Sequence, residues 1–147
     1  MKIPIYIAVV LFCVTIVQGH CRFKVPVTSR FLRCGGLIVQ RDQSAVNATN
    51  FCGEGKNGAE ITNKDVTCIF DKLGYSINGH ILVGKLLDEF SKIFGAYGVS
   101  LFQKTMECFP NSDNDDDKDP LSRITCLTKA YVLACGYITC DWINTVD

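Results

Sequence analysis

Apolar residues recur three or four positions apart along most of this chain, which is the spacing of amphipathic helices. The strongest stripe lies in residues 82–94 and consists of Leu82, Leu86, Phe90 and Ile93, with Val83, Leu87 and Phe94 beside them. A second face in residues 121–135 carries Leu121, Ile124, Thr128, Tyr131 and Cys135. Residues 28–39 hold an apolar face that is interrupted at Gly35 and Gly36. Because no segment alternates apolar and polar residues over a useful length, the pattern predicts an all-α protein.

Capping residues and helix breakers divide this pattern into separate helices. Thr62, followed three residues later by Asp65, is typical of a helix start. Three glycines in residues 53–58 predict a loop. Asp119 and Pro120 predict the start of the last long helix, as its cap and first-turn proline. Ser44 is expected to cap a helix that reaches Cys52, and Gly74 to end a helix that carries Val66, Ile69, Phe70 and Leu73. Gly79 is expected before the stripe of residues 82–94, and Gly95 and Gly98 before a short helix that Pro110 ends. The last helix is expected to stop at Gly136 or nearer Trp142.

Residues 1–19 are expected to form a secretory signal peptide. Lys2 provides the positive charge, residues 5–17 are almost wholly apolar, and small residues near Gly19 give a cleavage pattern. A membrane anchor is disfavoured because the apolar run is shorter than the ~20 residues that a transmembrane helix needs. Cleavage would release a secreted, extracellular chain of residues 20–147, which has the length of one domain.

Eight cysteines follow residue 20, and an even number behind a leader predicts a disulfide framework rather than metal ligands or catalytic thiols. They are Cys21, Cys34, Cys52, Cys68, Cys108, Cys126, Cys135 and Cys140, while Cys13 would leave with the leader. Cys126 and Cys135 lie nine residues apart in one predicted helix, so at ~100° per residue their side chains leave opposite sides. We therefore expect this helix to be bonded to two different neighbours.

The charge of the chain limits the classes of partner. Removal of Lys2 leaves 14 Lys and Arg against 15 Asp and Glu. A balance near zero disfavours nucleic acid and anionic membrane surfaces as the main partner. No later segment is long and apolar enough to span a bilayer. Asn47-Ala48-Thr49 is a sequon, so Asn47 is a candidate glycosylation site whose occupancy is left open.

Catalytic and metal-binding patterns are poorly represented. Beyond residue 19 the histidines are His20 and His80, and the hydrolase and zinc motifs that would use histidine do not occur. His80 is expected at a helix start as a solvated or packing residue. Aspartates alternate in residues 113–119, but an EF-hand loop needs a glycine where Lys118 stands and a glutamate where Ile124 stands. We therefore expect a solvated acidic turn, no metal, no cofactor and no enzyme activity.

Residues 68–74 read CIFDKLG, and together with Gly79 and the helix of residues 82–90 they resemble the middle of insect odorant-binding proteins. The resemblance covers about residues 34–135. The other similarities to that family are Cys126 and Cys135 with eight residues between them, the intervening Lys129-Ala130-Tyr131, Cys68 and Cys108 with 39 residues between them, and Cys34 at the distance expected of the first framework cysteine.

The resemblance implies a compact bundle of about six helices, held by disulfide bonds around an apolar cavity. Such a cavity is the usual kind of site for a small molecule. The family also implies the bridges Cys34–Cys68 and Cys108–Cys135. Lys129 and Arg123 are candidates for orienting an anionic head group, although surface solvation is preferred for both. The candidate ligand contacts are Leu86, Phe90, Phe94, Phe102, Met106 and Tyr131, with Trp142 as a further one, although such residues are more often core than pocket lining.

The sequence departs from the family at Lys64, which stands where the second framework cysteine is expected. Cys21, Cys52 and Cys140 are additional to the framework. Pairing Cys52 with Cys126 and Cys21 with Cys140 accounts for the remaining four cysteines, with an exchange of partners among them left open. The additional cysteines are similar to those of divergent or salivary members of the family.

Two functions are compatible with these observations. The first is a secreted carrier or scavenger that binds a small hydrophobic ligand in an internal cavity. The second is a secreted salivary or venom protein that uses the same helices as a rigid scaffold to bind or inhibit a host or receptor protein. A cavity would favour the first function, whereas a tightly packed core or a one-sided charged surface would favour the second.

Overall fold

The computed structural model describes residues 21–22, 26–27, 31–56, 60–109, 119–136 and 145–146. The expected signal peptide, most of the acidic turn and Trp142 lie outside these residues, as does Cys140 of the expected Cys21–Cys140 bridge. None of the helices in the described part is long and apolar enough to cross a membrane.

The chain is mostly helical, with short antiparallel strand pairs between the helices. The elements, in chain order, are β1 (Cys21–Arg22), β2 (Phe31–Cys34), β3 (Leu37–Gln40), α1 (Gln43–Cys52), α2 (Asn63–Leu73), β4 (Ser76–Ile77), β5 (His80–Ile81), α3 (Val83–Phe94), a 3-10 turn (Gly95–Tyr97), α4 (Gly98–Met106), α5 (Ser122–Cys135) and β6 (Thr145–Val146). Strand β1 pairs with β6, β2 with β3, and β4 with β5. The predicted helical, disulfide-bonded character is confirmed, but the expectation of helices alone does not hold.

Strands β2 and β3 form a hairpin where the sequence suggested an interrupted helix face. The chain reverses at Gly35, whose φ of 56° suits glycine far better than a residue with a Cβ. Leu32 and Val39 pair across the hairpin and pack against the core, while Phe31 and Ile38 are exposed. The alternation extends over only four residues in each strand, which is too short to distinguish from a helical pattern.

Side chains cap the starts of α1 and α2. Thr62 and Asp65 form the predicted capping box of α2, which ends at Gly74 as expected. Helix α1 reaches Cys52, but its cap is Asp42, whose side chain accepts a hydrogen bond from the backbone N–H of Ser44 at 3.4 Å. Helix α5 begins at Ser122, so the expected start with Asp119 as cap and Pro120 in the first turn is wrong, and it ends at Gly136. His80 lies in strand β5 and is exposed, so its expected place at a helix start is wrong.

Three disulfide bonds join the described elements, and their pairing differs from the predicted one. They are Cys34–Cys135, Cys52–Cys68 and Cys108–Cys126. The expected bridges Cys34–Cys68, Cys108–Cys135 and Cys52–Cys126 are therefore wrong.

The physical reason is the packing of the elements that carry the cysteines. Helices α1 and α2 pack side by side, which brings Cys52 and Cys68 within a Cα–Cα distance of 5.8 Å. The β2–β3 hairpin lies against the end of α5, where the N–H of Gly35 donates to the carbonyl oxygen of Cys135 at 2.8 Å. The prediction that the helix containing Cys126 and Cys135 is bonded to two different neighbours is confirmed.

Many of the buried side chains belong to two separate clusters. The first joins the hairpin to α3, α4 and α5, and its buried members are Cys34, Phe94, Leu101, Tyr131 and Cys135. The second is centred on Ile61 and Val66 at the start of α2, with partly buried side chains of α2 and α5 around it. The space between the two clusters is the candidate site.

Candidate functional site

A cavity of about 260 Å³ lies between the two clusters. All five α-helices described above contribute to its wall, together with β2 and the short segments before α1 and α2. Among the described residues, those that line it are Leu32, Arg41, Ala45, Thr49, Ile61, Val66, Ile69, Phe70, Leu73, Phe90, Phe94, Leu101, Thr105, Ile124, Leu127 and Tyr131.

Helix α2 provides a wall that the sequence predictions did not assign to a ligand site. Val66, Ile69, Phe70 and Leu73 all line the cavity, and their spacing places them on one face of a helix. The stripe is visible in the sequence, but a stripe that lines a cavity has the same pattern as one that fills a core. The sequence therefore identified the face without identifying its role.

The predicted ligand residues divide into two groups. Phe90, Phe94 and Tyr131 line the cavity. Their rings form an edge-to-face series, with 5.8 Å between the ring centroids of Phe90 and Phe94 and 6.2 Å between those of Phe94 and Tyr131. These three aromatic side chains therefore form one continuous surface of the cavity.

Leu86, Phe102 and Met106 do not line the cavity. Leu86 is completely buried and belongs to the packed interior. On α4 the lining residues are Leu101 and Thr105. Phe102 and Met106 each follow one of these residues, so a rotation of ~100° per residue places them on the adjoining face.

Few polar groups in the described part of the chain line the cavity. Besides Arg41, the polar lining residues are Thr49, Thr105 and Tyr131. The hydroxyl of Thr49 donates to the carbonyl oxygen of Ala45 at 2.9 Å, and that of Tyr131 donates to the carbonyl oxygen of Arg33. Both hydroxyl protons are therefore committed to the backbone, which satisfies these buried groups.

Arg41 is the charged side chain of the described lining, and the sequence predictions missed it. It lies directly before α1 and is partly buried. Burial lowers the pKa of Arg41, while the nearby Tyr131 acts in the opposite direction. A single arginine between a strand and a helix has no periodicity that would mark it, so only the fold shows that it reaches an apolar cavity.

The two cations considered from sequence do not line the cavity. Arg123 donates from Nη1 to Oγ1 of Thr67 at 2.9 Å, and its guanidinium lies 5.4 Å from the ring centroid of Phe109. Lys129 is exposed. Neither side chain is therefore placed to orient a ligand inside the protein.

A buried asparagine connects the start of α2 to the start of α5 through hydrogen bonds. Asn63 is 1% exposed. Its side-chain nitrogen donates to the carbonyl oxygen of Asp119 at 2.9 Å and to Oγ of Ser122 at 3.1 Å, while its Oδ1 accepts from the N–H of Arg123 at 2.9 Å. These bonds connect two walls of the cavity, formed by α2 and α5. Ile61 and Ile124 line the cavity near these bonds.

The candidate glycosylation site lies on α1. Asn47 is exposed and accepts a hydrogen bond from Nε2 of Gln43 at 2.9 Å, whereas Thr49 of the same triplet is buried. Within the described part of the chain, no three side chains of the metal-ligating types come together as a metal site would require.

Comparison of the chain with protein-family models, with curated proteins and with solved structures found no match. The function of the protein is therefore inferred from its own residues and their arrangement.

Proposed function

We propose that this protein is a secreted carrier or scavenger of small hydrophobic molecules, which it binds in the internal cavity. The observation that carries the proposal is the cavity itself, with a volume of about 260 Å³ and twelve aliphatic or phenylalanine side chains among the sixteen described residues that line it. A ligand that leaves water for this surface gains ~25 cal/mol for each Å² of apolar area buried. Binding of this kind needs no catalytic group and no cofactor.

The disulfide bonds support a cavity that persists without a ligand. Cys34–Cys135 and Cys108–Cys126 fix both ends of α5, and Cys52–Cys68 fixes α1 to α2. Cross-links between walls limit how far the helices can collapse toward each other. Disulfide bonds are also characteristic of secreted proteins, which supports the secretion that the leader predicts.

The resemblance to insect odorant-binding proteins favours the same class of function. The bridges that the resemblance implies are not formed, however, because Cys34 pairs with Cys135 and Cys108 with Cys126. The proposal therefore depends on the cavity and not on membership of that family.

A matched pair of tryptophan variants on α5 tests the proposal. Leu127 lines the cavity, whereas Leu133 is 60% exposed on the same helix. The purified oxidised protein is expected to bind one apolar fluorescent probe per chain, and Leu127→Trp should weaken that binding at least tenfold because the larger side chain occupies the ligand space. Leu133→Trp should bind as the unchanged protein does. Absence of probe binding, together with native mass spectra that show no retained ligand, would end the carrier proposal.

A scaffold that binds a host or receptor protein is the second candidate, and the β2–β3 hairpin is the observation that favours it. Phe31 and Ile38 are 55% and 68% exposed there, and exposed large apolar side chains that lie together are a common feature of protein interfaces. If the carrier test fails, Ile38→Ser becomes the variant to examine in binding assays with candidate partner proteins.

A further inference from the structure

We propose that Thr105 recognises the polar end of the ligand, and that its hydroxyl forms a hydrogen bond with the oxygen of a small neutral ketone or alcohol. This inference deepens the proposed function and rests on it, because it names the chemical class of the ligand and the residue that selects it. It follows from one buried hydroxyl of the cavity wall whose hydrogen bonds are not used within the described part of the chain.

Thr105 differs from other hydroxyl residues in the helices. The hydroxyls of Thr49, Ser91 and Thr128 each donate to the carbonyl oxygen four residues earlier, at 2.9, 2.8 and 2.7 Å. Thr105 on α4 is 3% exposed and lines the cavity, but its hydroxyl is hydrogen bonded to no group in the described part of the chain. Its proton and both of its lone pairs are therefore unused there.

The other polar side chains of the described lining already have partners. Thr49 and Tyr131 donate their hydroxyl protons to backbone carbonyl oxygens, and Arg41 also has an interaction partner. Among the residues that the structure describes, Thr105 is therefore the lining hydroxyl that can donate a hydrogen bond to a ligand.

The fold holds this hydroxyl in a defined place. Helix α4 packs against α5, and Cys108, three residues after Thr105, is bonded to Cys126 on α5. The N–H of Cys108 also donates to the carbonyl oxygen of Thr105 at 2.9 Å. A hydrogen-bonding group that is already fixed loses little conformational freedom when a ligand binds.

The chemistry of a single hydroxyl points to a neutral oxygen as its partner. A buried hydroxyl without a hydrogen bond costs free energy, which an oxygen placed beside it recovers. A ketone oxygen can accept from Thr105, and an alcohol can either accept or donate. A hydrocarbon leaves the hydroxyl unpaired, and one uncharged group does not offset the burial of an ion. The cavity should therefore bind neutral compounds that carry one oxygen on an apolar body.

The volume of the cavity sets the size of that apolar body. A dry apolar cavity of about 150 Å³ binds benzene, so a cavity of about 260 Å³ has room for a benzene ring and a short substituent. Acetophenone carries its oxygen on such a substituent. The hydrocarbon α-methylstyrene has the same shape, with a methylene group in place of the oxygen. The two compounds therefore differ mainly in the ability to accept a hydrogen bond.

Competition of both compounds with the apolar fluorescent probe tests the inference, in the unchanged protein and in Thr105→Val. This substitution removes the hydroxyl and keeps the branched shape, so acetophenone should bind about tenfold more weakly. The hydrocarbon should bind the variant at least as tightly as the unchanged protein, because no hydroxyl is then left unpaired. Equal changes for the two compounds, or no binding of acetophenone to a protein that binds the probe, would overturn the inference and leave the carrier proposal standing. If neither the probe nor either compound binds, the carrier proposal fails and this inference fails with it.

Two further variants assign the effect to the hydroxyl. Thr105→Ser keeps a hydroxyl at the same place and should hold the ratio of the two affinities within about twofold of its unchanged value. Thr128→Val makes the same chemical change on α5, outside the lining, and should leave both affinities unchanged. A ratio in Thr105→Ser that equals the ratio in Thr105→Val would show that shape and not hydrogen bonding is responsible, and would contradict the proposal.

The infrared band of the bound ketone provides a test that does not depend on the folding of any variant. In the unchanged protein, the carbonyl stretch of bound acetophenone, isolated by isotope editing, should lie below its position in an alkane solvent. The reason is that a hydrogen bond from Thr105 polarises and weakens the carbonyl bond. A band at the alkane position would overturn the inference, even if Thr105→Val does not fold.

Discussion

Leu86 and Phe90 lie one turn apart on α3 and belong to the same apolar stripe, yet they have different surroundings. Phe90 lines the cavity, whereas Leu86 is 0% exposed and is absent from the lining. A core side chain is surrounded by close-packed neighbours, so changes in its volume in either direction cost stability. A side chain that faces an empty space tolerates added volume more readily.

Shortening Leu86 should therefore destabilise the fold. We expect Leu86→Ala to lower the free energy of unfolding by about 2–5 kcal/mol, measured by denaturant unfolding of the oxidised protein. Leu133→Ala on α5 is the control, because Leu133 is 60% exposed and its loss should change stability by less than about 0.5 kcal/mol. Equal effects of the two variants would show that the position of Leu86 has been misassigned.

Asp65 combines two local roles at the start of α2. Its carboxylate accepts a hydrogen bond from the N–H of Thr62 at 2.8 Å and an ion-paired one from Nζ of Lys56 at 2.6 Å. Burial acts to raise the pKa of Asp65, but the hydrogen bonds from Lys56 and Thr62 outweigh it and hold the pKa below its usual value. The charged form is therefore more favourable in the folded protein than in the unfolded chain.

Asp65→Asn should lower the free energy of unfolding by about 1–3 kcal/mol near neutral pH. Because the folded-state pKa is the lower one, the contribution of the carboxylate is present above the unfolded pKa of about 3.9 and is lost as the pH falls through the folded value. The difference in stability between the variant and the unchanged protein should thus begin to shrink below about pH 4 and decrease further as the pH falls. Urea unfolding at several pH values measures this, with the exposed Asp88→Asn as control. An undiminished difference at the lowest pH would contradict the role of the charge.

The contact between α3 and α4 depends on a residue without a side chain. Gly98 is buried at the first position of α4, and a Cβ built there would lie 2.4 Å from the carbonyl oxygen of Phe90. Backbone cannot yield as a flexible side chain can, so the two helices would have to separate. Gly84 on α3 offers the opposite case, because a Cβ there meets nothing within 4 Å.

Alanine at these two glycines should therefore have effects of opposite sign. We expect Gly98→Ala to destabilise the protein by about 1–3 kcal/mol through overpacking. Gly84→Ala should stabilise it by about 0.5–1 kcal/mol, because alanine favours the helix and limits the unfolded chain. Thermal unfolding of both variants provides the comparison, and stabilisation by Gly98→Ala would mean that α3 and α4 are not in this close contact.

At the scale of the whole molecule, the three described disulfide bonds enclose chain segments of very different length. Cys34–Cys135 spans 101 residues, whereas Cys52–Cys68 and Cys108–Cys126 span 16 and 18. In the chain-entropy description a longer loop restricts the unfolded chain more. Of these three bridges, the one from the hairpin to α5 should therefore contribute most to stability.

Replacing both Cys34 and Cys135 by alanine should cost about 4–5 kcal/mol, compared with about 3 kcal/mol for the pair Cys52 and Cys68. Denaturant unfolding of the two double variants measures the difference. Peptide mapping of the oxidised protein provides an independent check, since it should yield the peptides joined by the three bridges above. A Cys34–Cys68 or Cys108–Cys135 peptide would contradict this connectivity.

Several helix starts and stops were predictable from short stretches of sequence. The capping box of Thr62 and Asp65 and the end of α2 at Gly74 appear where the residues indicated, and α5 ends at Gly136, one of the two expected stops. These features depend on hydrogen bonds and backbone conformations within a few residues, so the local sequence contains the necessary information. For the same reason the opposite directions of Cys126 and Cys135 could be derived from helix geometry alone.

The partners of the cysteines, the hairpin at Gly35 and the division of apolar side chains between core and cavity were decided by tertiary structure. Cys34 bonds to Cys135 because the hairpin folds against the end of α5. Arg41 lines the cavity because the segment directly before α1 forms part of the cavity wall. A stripe such as that of α2 has the same spacing whether it faces another helix or an empty space. Only the arrangement of all the elements together determines which side chains have neighbours and which border the cavity, because that depends on contacts between residues far apart in the chain.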